Sequence, residues 1–138
     1  MRASLTCLLA LGGCMFPSNV VAPDQREVHG VEVAVAFGPA SAADLDGLFV
    51  AASIRGPAAA TLRHLTYWLE PAGRFSGAAL LARAGGSEFE TLSGRWSLEN
   101  GRLALGDNEP AKVEAAPGWL RLSGDDGTVV VLRRTAER

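Results

Sequence analysis

The chain has 138 residues, 13 Lys and Arg against 15 Asp and Glu, and a formal net charge of −2 at neutral pH. That length suits one domain with a single buried core, and a mildly acidic chain with no basic stripe argues against a nucleic-acid partner. The two cysteines, Cys7 and Cys14, both lie near the N-terminus, so the core must stand on packing rather than on disulfides.

The first element is an address rather than a strand. Arg2 supplies a short positive region, residues 3–11 (ASLTCLLAL) form an apolar segment, and Gly12-Gly13 are small, as a signal peptidase requires. The apolar run falls far short of the ~20 residues that span a bilayer. Leu11-Gly12-Gly13-Cys14 resembles the lipobox of bacterial lipoproteins, a Leu and two small residues before an invariant Cys. The resemblance implies removal of the signal peptide, residues 1–13, and acylation of Cys14. The protein would then be held in the cell envelope by a lipid anchor, facing the periplasm or the outside, with the membrane as a partner. Cys7 follows Thr6, which is bulkier than the family's small residue, so the modification belongs at Cys14. Each buried methylene of an acyl chain adds ~0.8 kcal/mol, so several chains on one residue anchor stably. Residues 14–27 carry two prolines and no periodicity and read as a lipidated N-terminus and tether, which leaves 28–138 for the folded domain.

Beyond residue 27 there is no long amphipathic helical pattern. Short alternating runs broken by turn signals predict an all-β fold. In chain order, VHGVEVAVAF (28–37) alternates Val31, Val33, Val35 and Phe37 with smaller or charged residues. SAADL (41–45) reads as one helical turn capped by Ser41, and LFVAASIR (48–55) as a strand. Residues 64–81 form a hairpin turning at Pro71-Ala72-Gly73, with Glu70 facing Arg74 and Leu69 facing Phe75. Leu65, Tyr67, Leu69, Phe75 and Leu81 then share the inner face, while His64 and Trp68 lie on the other. Residues 95–105 form the clearest hairpin. Asn100-Gly101 demands a type I′ turn, which pairs Glu99 with Arg102, Leu98 with Leu103, Ser97 with Ala104 and Trp96 with Leu105. AKVEA (111–115) is a further strand. Residues 118–134 form a hairpin turning through Gly124-Asp125-Asp126-Gly127, a four-residue loop that sets Leu122 against Val129 and Leu120 against Val131. The sum is a small antiparallel up-and-down barrel of about eight strands, closed so that no edge is exposed.

Leu45-Asp46-Gly47-Leu48-Phe49, the turn Leu69-Glu70-Pro71-Ala72-Gly73-Arg74-Phe75, and Gly94-Arg95-Trp96-Ser97-Leu98 followed by Gly101-Arg102-Leu103 resemble the lipocalin-like small β-barrel domains of exported bacterial proteins. In that family the inner face lines a pocket, which implies Tyr67, Phe75 and Trp96 as candidate residues for an apolar small molecule. The alternative use of the same residues is a filled core. Trp68 and Trp119, if exposed together, would instead suit an envelope protein. Gly94-Arg95-Trp96-Ser97-Leu98 also resembles the β-barrel inhibitors of bacterial metalloproteases, in which an extended N-terminal segment blocks the enzyme. Residues 15–27 would be that segment, although the cysteine pair of those inhibitors is missing.

No pattern of residues carries catalysis. Ser93-Gly94 and Ser123-Gly124 are turn and strand-end residues, not a nucleophile elbow, and no phosphate loop or metalloprotease motif occurs. Asp44-Leu45-Asp46-Gly47 lacks the downstream Glu of a calcium loop. His29, His64, Glu88 and Glu90 read as solvated strand residues. The expectation is therefore a binding or envelope-accessory module that is not an enzyme and needs no cofactor or metal.

Overall fold

Period-two alternation places side chains on opposite faces of a strand, so a run with one apolar set must bury that face. The computed structural model, which describes residues 35–136, meets this demand by closing the strands on themselves. They are β1 (Gly38–Pro39), β2 (Gly47–Arg55), β3 (Leu62–Leu69), β4 (Arg74–Arg83), β5 (Gly86–Glu99), β6 (Arg102–Leu105), β7 (Ala111–Ala116), β8 (Trp119–Ser123) and β9 (Val129–Thr135). From β2 to β9 each strand pairs antiparallel with the next, and β9 returns to β2, closing an eight-stranded up-and-down barrel. The short β1 adds to β7 at Gly38–Ala115 and Pro39–Glu114, beyond the reach of the β5–β6 hairpin.

The expected turns set much of this register. Asn100 and Gly101 have φ of 51° and 73°, as a type I′ turn requires, and the four pairs from Trp96–Leu105 to Glu99–Arg102 form as the turn dictates. Leu69 pairs with Phe75. The loop between them closes through Gly73 N–H donating to the Glu70 carbonyl at 3.0 Å and Glu70 N–H to the Arg74 carbonyl at 2.9 Å. Residues 42–45 form a 3-10 turn. Ser41 donates to the Asp44 carboxylate from its N–H at 2.8 Å and its hydroxyl at 2.9 Å, which holds the Asp44 carboxyl below its ordinary range. Leu45 at the end of that turn is fully buried and packs into the core near the start of β2.

Three expectations need correction. Residues 35–37 are not strand, and pairing starts only at Gly38. Residues 28–34 lie outside the described residues. Phe37 does not enter the core but lies on the Arg121 guanidinium, 4.4 Å from the ring centre. The β8–β9 register is one residue away from expectation, with Leu122 opposite Val130 and Leu120 opposite Leu132. The reason is the loop, which has five residues because Thr128 belongs to it. Its N–H and hydroxyl donate to the Asp126 carboxylate at 2.8 and 3.0 Å, and Gly124 N–H closes onto the Thr128 carbonyl at 2.9 Å. Lastly, Glu99 and Arg102 face each other, but the Arg102 guanidinium pairs elsewhere, with Asp125 at 3.0 Å.

The interior is apolar. Phe49, Ile54, Leu65, Tyr67, Leu69, Phe75, Leu103, Leu105, Val113, Leu120, Leu122, Val130 and Leu132 are buried together. Leu81, Trp96 and Leu98, on the same inward face, are half-buried against them.

Candidate functional site

The barrel is closed unequally. At the end where β2 begins, Leu45 fills the space, and the Arg134 guanidinium donates to the Asp44 carbonyl at 2.8 Å. The other end is a mouth rimmed by the β6–β7 loop (106–110) and the β8–β9 loop (124–128). A cavity of about 220 Å³ opens there, walled by Leu62, Leu65, Tyr67, Leu103, Leu105 and Leu122, with Asn108, Glu109 and Thr128 among the residues at its rim.

Short-range chemistry fixes the rim. Arg102 donates to the Pro110 carbonyl at 2.7 Å and to Asp125 at 3.0 Å, so one guanidinium ties the two rim loops together. Thr128 is held on its other side, where Ala58 N–H donates to its hydroxyl oxygen at 3.2 Å. That bond comes from the 3-10 turn Pro57–Ala60, whose Ala59 is fully buried. The two hydrogen bonds from Thr128 hold the Asp126 carboxyl below its ordinary value. A lowered folded-state value means that this contribution is present above the ordinary carboxylate pKa and is lost as the pH falls through the lowered one.

Tyr67 is the polar group of the cavity wall. Burial pushes its phenol above the ordinary value, so the hydroxyl stays neutral and can donate a hydrogen bond. Among the described residues no buried side-chain polar atom is left without a hydrogen bond, so this hydroxyl is not a stranded polar group. The candidate pocket residues read from the sequence divide here. Tyr67 lines the cavity. Phe75 is buried beside it, edge to face at 6.1 Å between ring centres and 75° between planes, but does not line the cavity. Trp96 is half-buried and donates from its indole N–H to the Glu70 carbonyl at 2.8 Å, which fastens β5 to the β3–β4 turn. Tyr67 and Phe75 therefore meet, while Trp96 is a strut outside the cavity wall.

The remaining candidates are dispersed. Cys14 and residues 15–27 lie outside the described residues. Trp68 is exposed on β3, whereas Trp119 is half-buried on β8 with β9 and β2 between them, so the two do not form one patch. His64 lies 3.3 Å from the Thr66 hydroxyl on the outer face of β3. Glu88 and Glu90 are exposed, as expected, though they pair across from Leu81 and Ala79 on the inward side, where the β4–β5 hairpin overhangs the barrel. Among the described residues no group of three His, Cys, Asp or Glu side chains could hold a metal ion, and no helix is long and apolar enough to cross a membrane.

The alternation identified Leu65, Leu103, Leu105 and Leu122 as inward-facing, but not that they border a cavity. Leu62, Asn108, Glu109 and Thr128 carried no signal of their own, because strand stagger and loop length bring them to the mouth. Comparison with protein-family models, curated proteins and solved structures found no match to the chain.

Proposed function

We propose that this chain is an exported lipoprotein, anchored through Cys14, whose barrel mouth binds a small apolar group. The observation that carries the binding role is the cavity of about 220 Å³, walled by leucines and by Tyr67, whose phenol burial keeps neutral. Ligand sites for drug-sized molecules run to ~300–1,000 Å³, whereas an apolar cavity of about 150 Å³ accommodates one aromatic ring. The occupant is therefore a single ring or a short alkyl end, with Tyr67 donating to an acceptor on it. Acylation of Cys14, which the Leu11-Gly12-Gly13-Cys14 motif supports, would hold that mouth near a membrane surface. The barrel binds or delivers the ligand and carries out no chemistry on it.

The test is titration of the full chain with toluene, read on the methyl resonances of Leu65, Leu105 and Leu122. Saturable shifts confined to these residues are expected, and Ala111→Phe, which fills the cavity from its half-buried rim, should abolish them. Unchanged methyl resonances, or equal binding by Ala111→Phe, would contradict the reading.

A further inference from the structure

The two halves of the barrel wall differ on their outer faces. The wall from β6 to β9 is studded with ion pairs. Glu114 pairs with Arg121 at 2.8 Å and with Lys112 at 3.8 Å, and Arg102 pairs with Asp125. The wall made by β3, β4 and β5 is different, with ion pairs only at its ends, Glu70–Arg74 at 3.1 Å beside the turn and Arg83–Glu88 at 3.4 Å on the overhanging hairpin. Inter-strand pairing arranges its outward residues in rows across the strands: Arg74–Arg95, then Trp68–Ser76–Ser93, Thr66–Ala78–Thr91, and His64–Leu80–Phe89. Leu48 and Val50 of β2 extend the second and third rows. These rows contain no carboxylate.

Two features of this wall oppose ordinary surface design. Trp68 is 48% exposed and Phe89 is 75% exposed, with Leu80 on the same face. Arg74 and Arg95 stand directly opposite each other across β4 and β5, and like charges in that position are destabilising. Arg74 has one partner, Glu70, at 3.1 Å beside the turn, but Arg95 has no carboxylate partner among the described residues. A concave surface lies around the pair, lined by Glu70, Arg74, Ser76, Ser93 and Arg95 with Phe75 beneath. Two guanidiniums and two hydroxyls around a hollow provide donors for an oxyanion. The exposed indole is one row away, and Phe89 lies six residues from Arg95 along β5, about 20 Å at the rise of a strand.

We infer that the outer face of β3–β5 rests on an anionic lipid surface, with Arg74 and Arg95 on headgroup phosphates and Trp68 and Phe89 entering the interface. Charge complementarity selects this occupant. Arg95 and the Glu70-paired Arg74 form an edge joined to exposed aromatic side chains, and Glu88 and Glu90 beside Phe89 point to the opposite face of β5. That edge matches a bilayer surface, where Trp favours the headgroup level and basic side chains are drawn to anionic lipid. The contact is peripheral, since the barrel interior is apolar, the reverse of the polar lumen of a membrane-spanning barrel. The inference stands apart from acylation of Cys14, and its test removes the acyl site.

The full chain carrying Cys14→Ala is mixed with vesicles of phosphatidylglycerol and phosphatidylcholine, with vesicles of phosphatidylcholine alone, and with inorganic phosphate. Sedimentation with the anionic vesicles is expected, weakening as salt is raised, together with a blue shift of tryptophan emission that Trp68→Phe removes. Arg74→Glu with Arg95→Glu should lower partitioning at least about tenfold, and Phe89→Ser should lower it too. These side chains are exposed, so the variants should keep the wild-type circular dichroism. Failure to bind anionic vesicles would overturn the inference, as would equal partitioning of the arginine variant. So would phosphate-induced shifts at Arg95 without vesicle binding, which would mark a soluble anion as the ligand.

Discussion

Phe49→Ala is expected to destabilise the barrel by about 3–5 kcal/mol, the usual cost of emptying a buried aromatic site. Phe49 is fully buried and faces inward from β2, and β2 is the strand that closes the barrel by pairing with both β3 and β9. Arg134 covers the ring, its guanidinium carbon 5.2 Å from the centroid. The cavity left behind would therefore sit at the seam, between strands whose ladders limit collapse. Urea unfolding of the full chain measures the effect, with Trp68→Ala as the comparison. Trp68 points outward and is about half exposed, so its removal should cost less than about 1 kcal/mol. A smaller loss for Phe49→Ala than for Trp68→Ala would mean that the inner and outer faces are assigned the wrong way round.

Gly56→Ala should cost about 2–4 kcal/mol and should act on the mouth. Gly56 has φ of +93°, which strains any residue with a side chain, and a Cβ there would lie 2.5 Å from the Gly127 carbonyl oxygen and 2.9 Å from the Thr128 Cα. Both neighbours are backbone atoms, so relief requires the loop 124–128 to move. That loop rims the cavity and is held by the Ala58–Thr128 hydrogen bond. The substitution should therefore lower the melting temperature and accelerate amide exchange at Thr128 more than at Leu69, in the closed end of the barrel. Uniform acceleration would show that the loop does not depend on the Gly56 contact.

The fold was largely legible because turn chemistry and alternation agreed. Asn100-Gly101 specified one turn geometry, and one residue of register then placed Trp96, Leu98, Leu103 and Leu105. The β8–β9 hairpin was harder to read, since Gly-Asp-Asp-Gly marks a turn but does not reveal that Thr128 will be drawn into it by Asp126. One loop residue more moved Val130 and Leu132, rather than Val129 and Val131, to the inside. The mouth was less legible still. Its walls come from β3, β6, β7, β8 and β9, and the side chains that meet there depend on the stagger of strands around the barrel, a non-local property. Arg102 shows the same limit. Its sequence neighbour across the hairpin is Glu99, but the guanidinium turns to Pro110 and Asp125, partners supplied by two distant loops. Phe37 sits in an alternating run, yet its place is on Arg121, because β1 pairs for only two residues.

Anchoring through Cys14 is the central claim, and metabolic labelling tests it most directly. The chain is expressed in a bacterial host supplied with labelled palmitate, and the mature protein is isolated from the membrane fraction for mass analysis of its N-terminus. Label on the wild type, a mature chain beginning at an acylated Cys14, and no label on Cys14→Ala are the expected results. Equal labelling of Cys14→Ala, or a mature N-terminus at any other residue, would contradict the account.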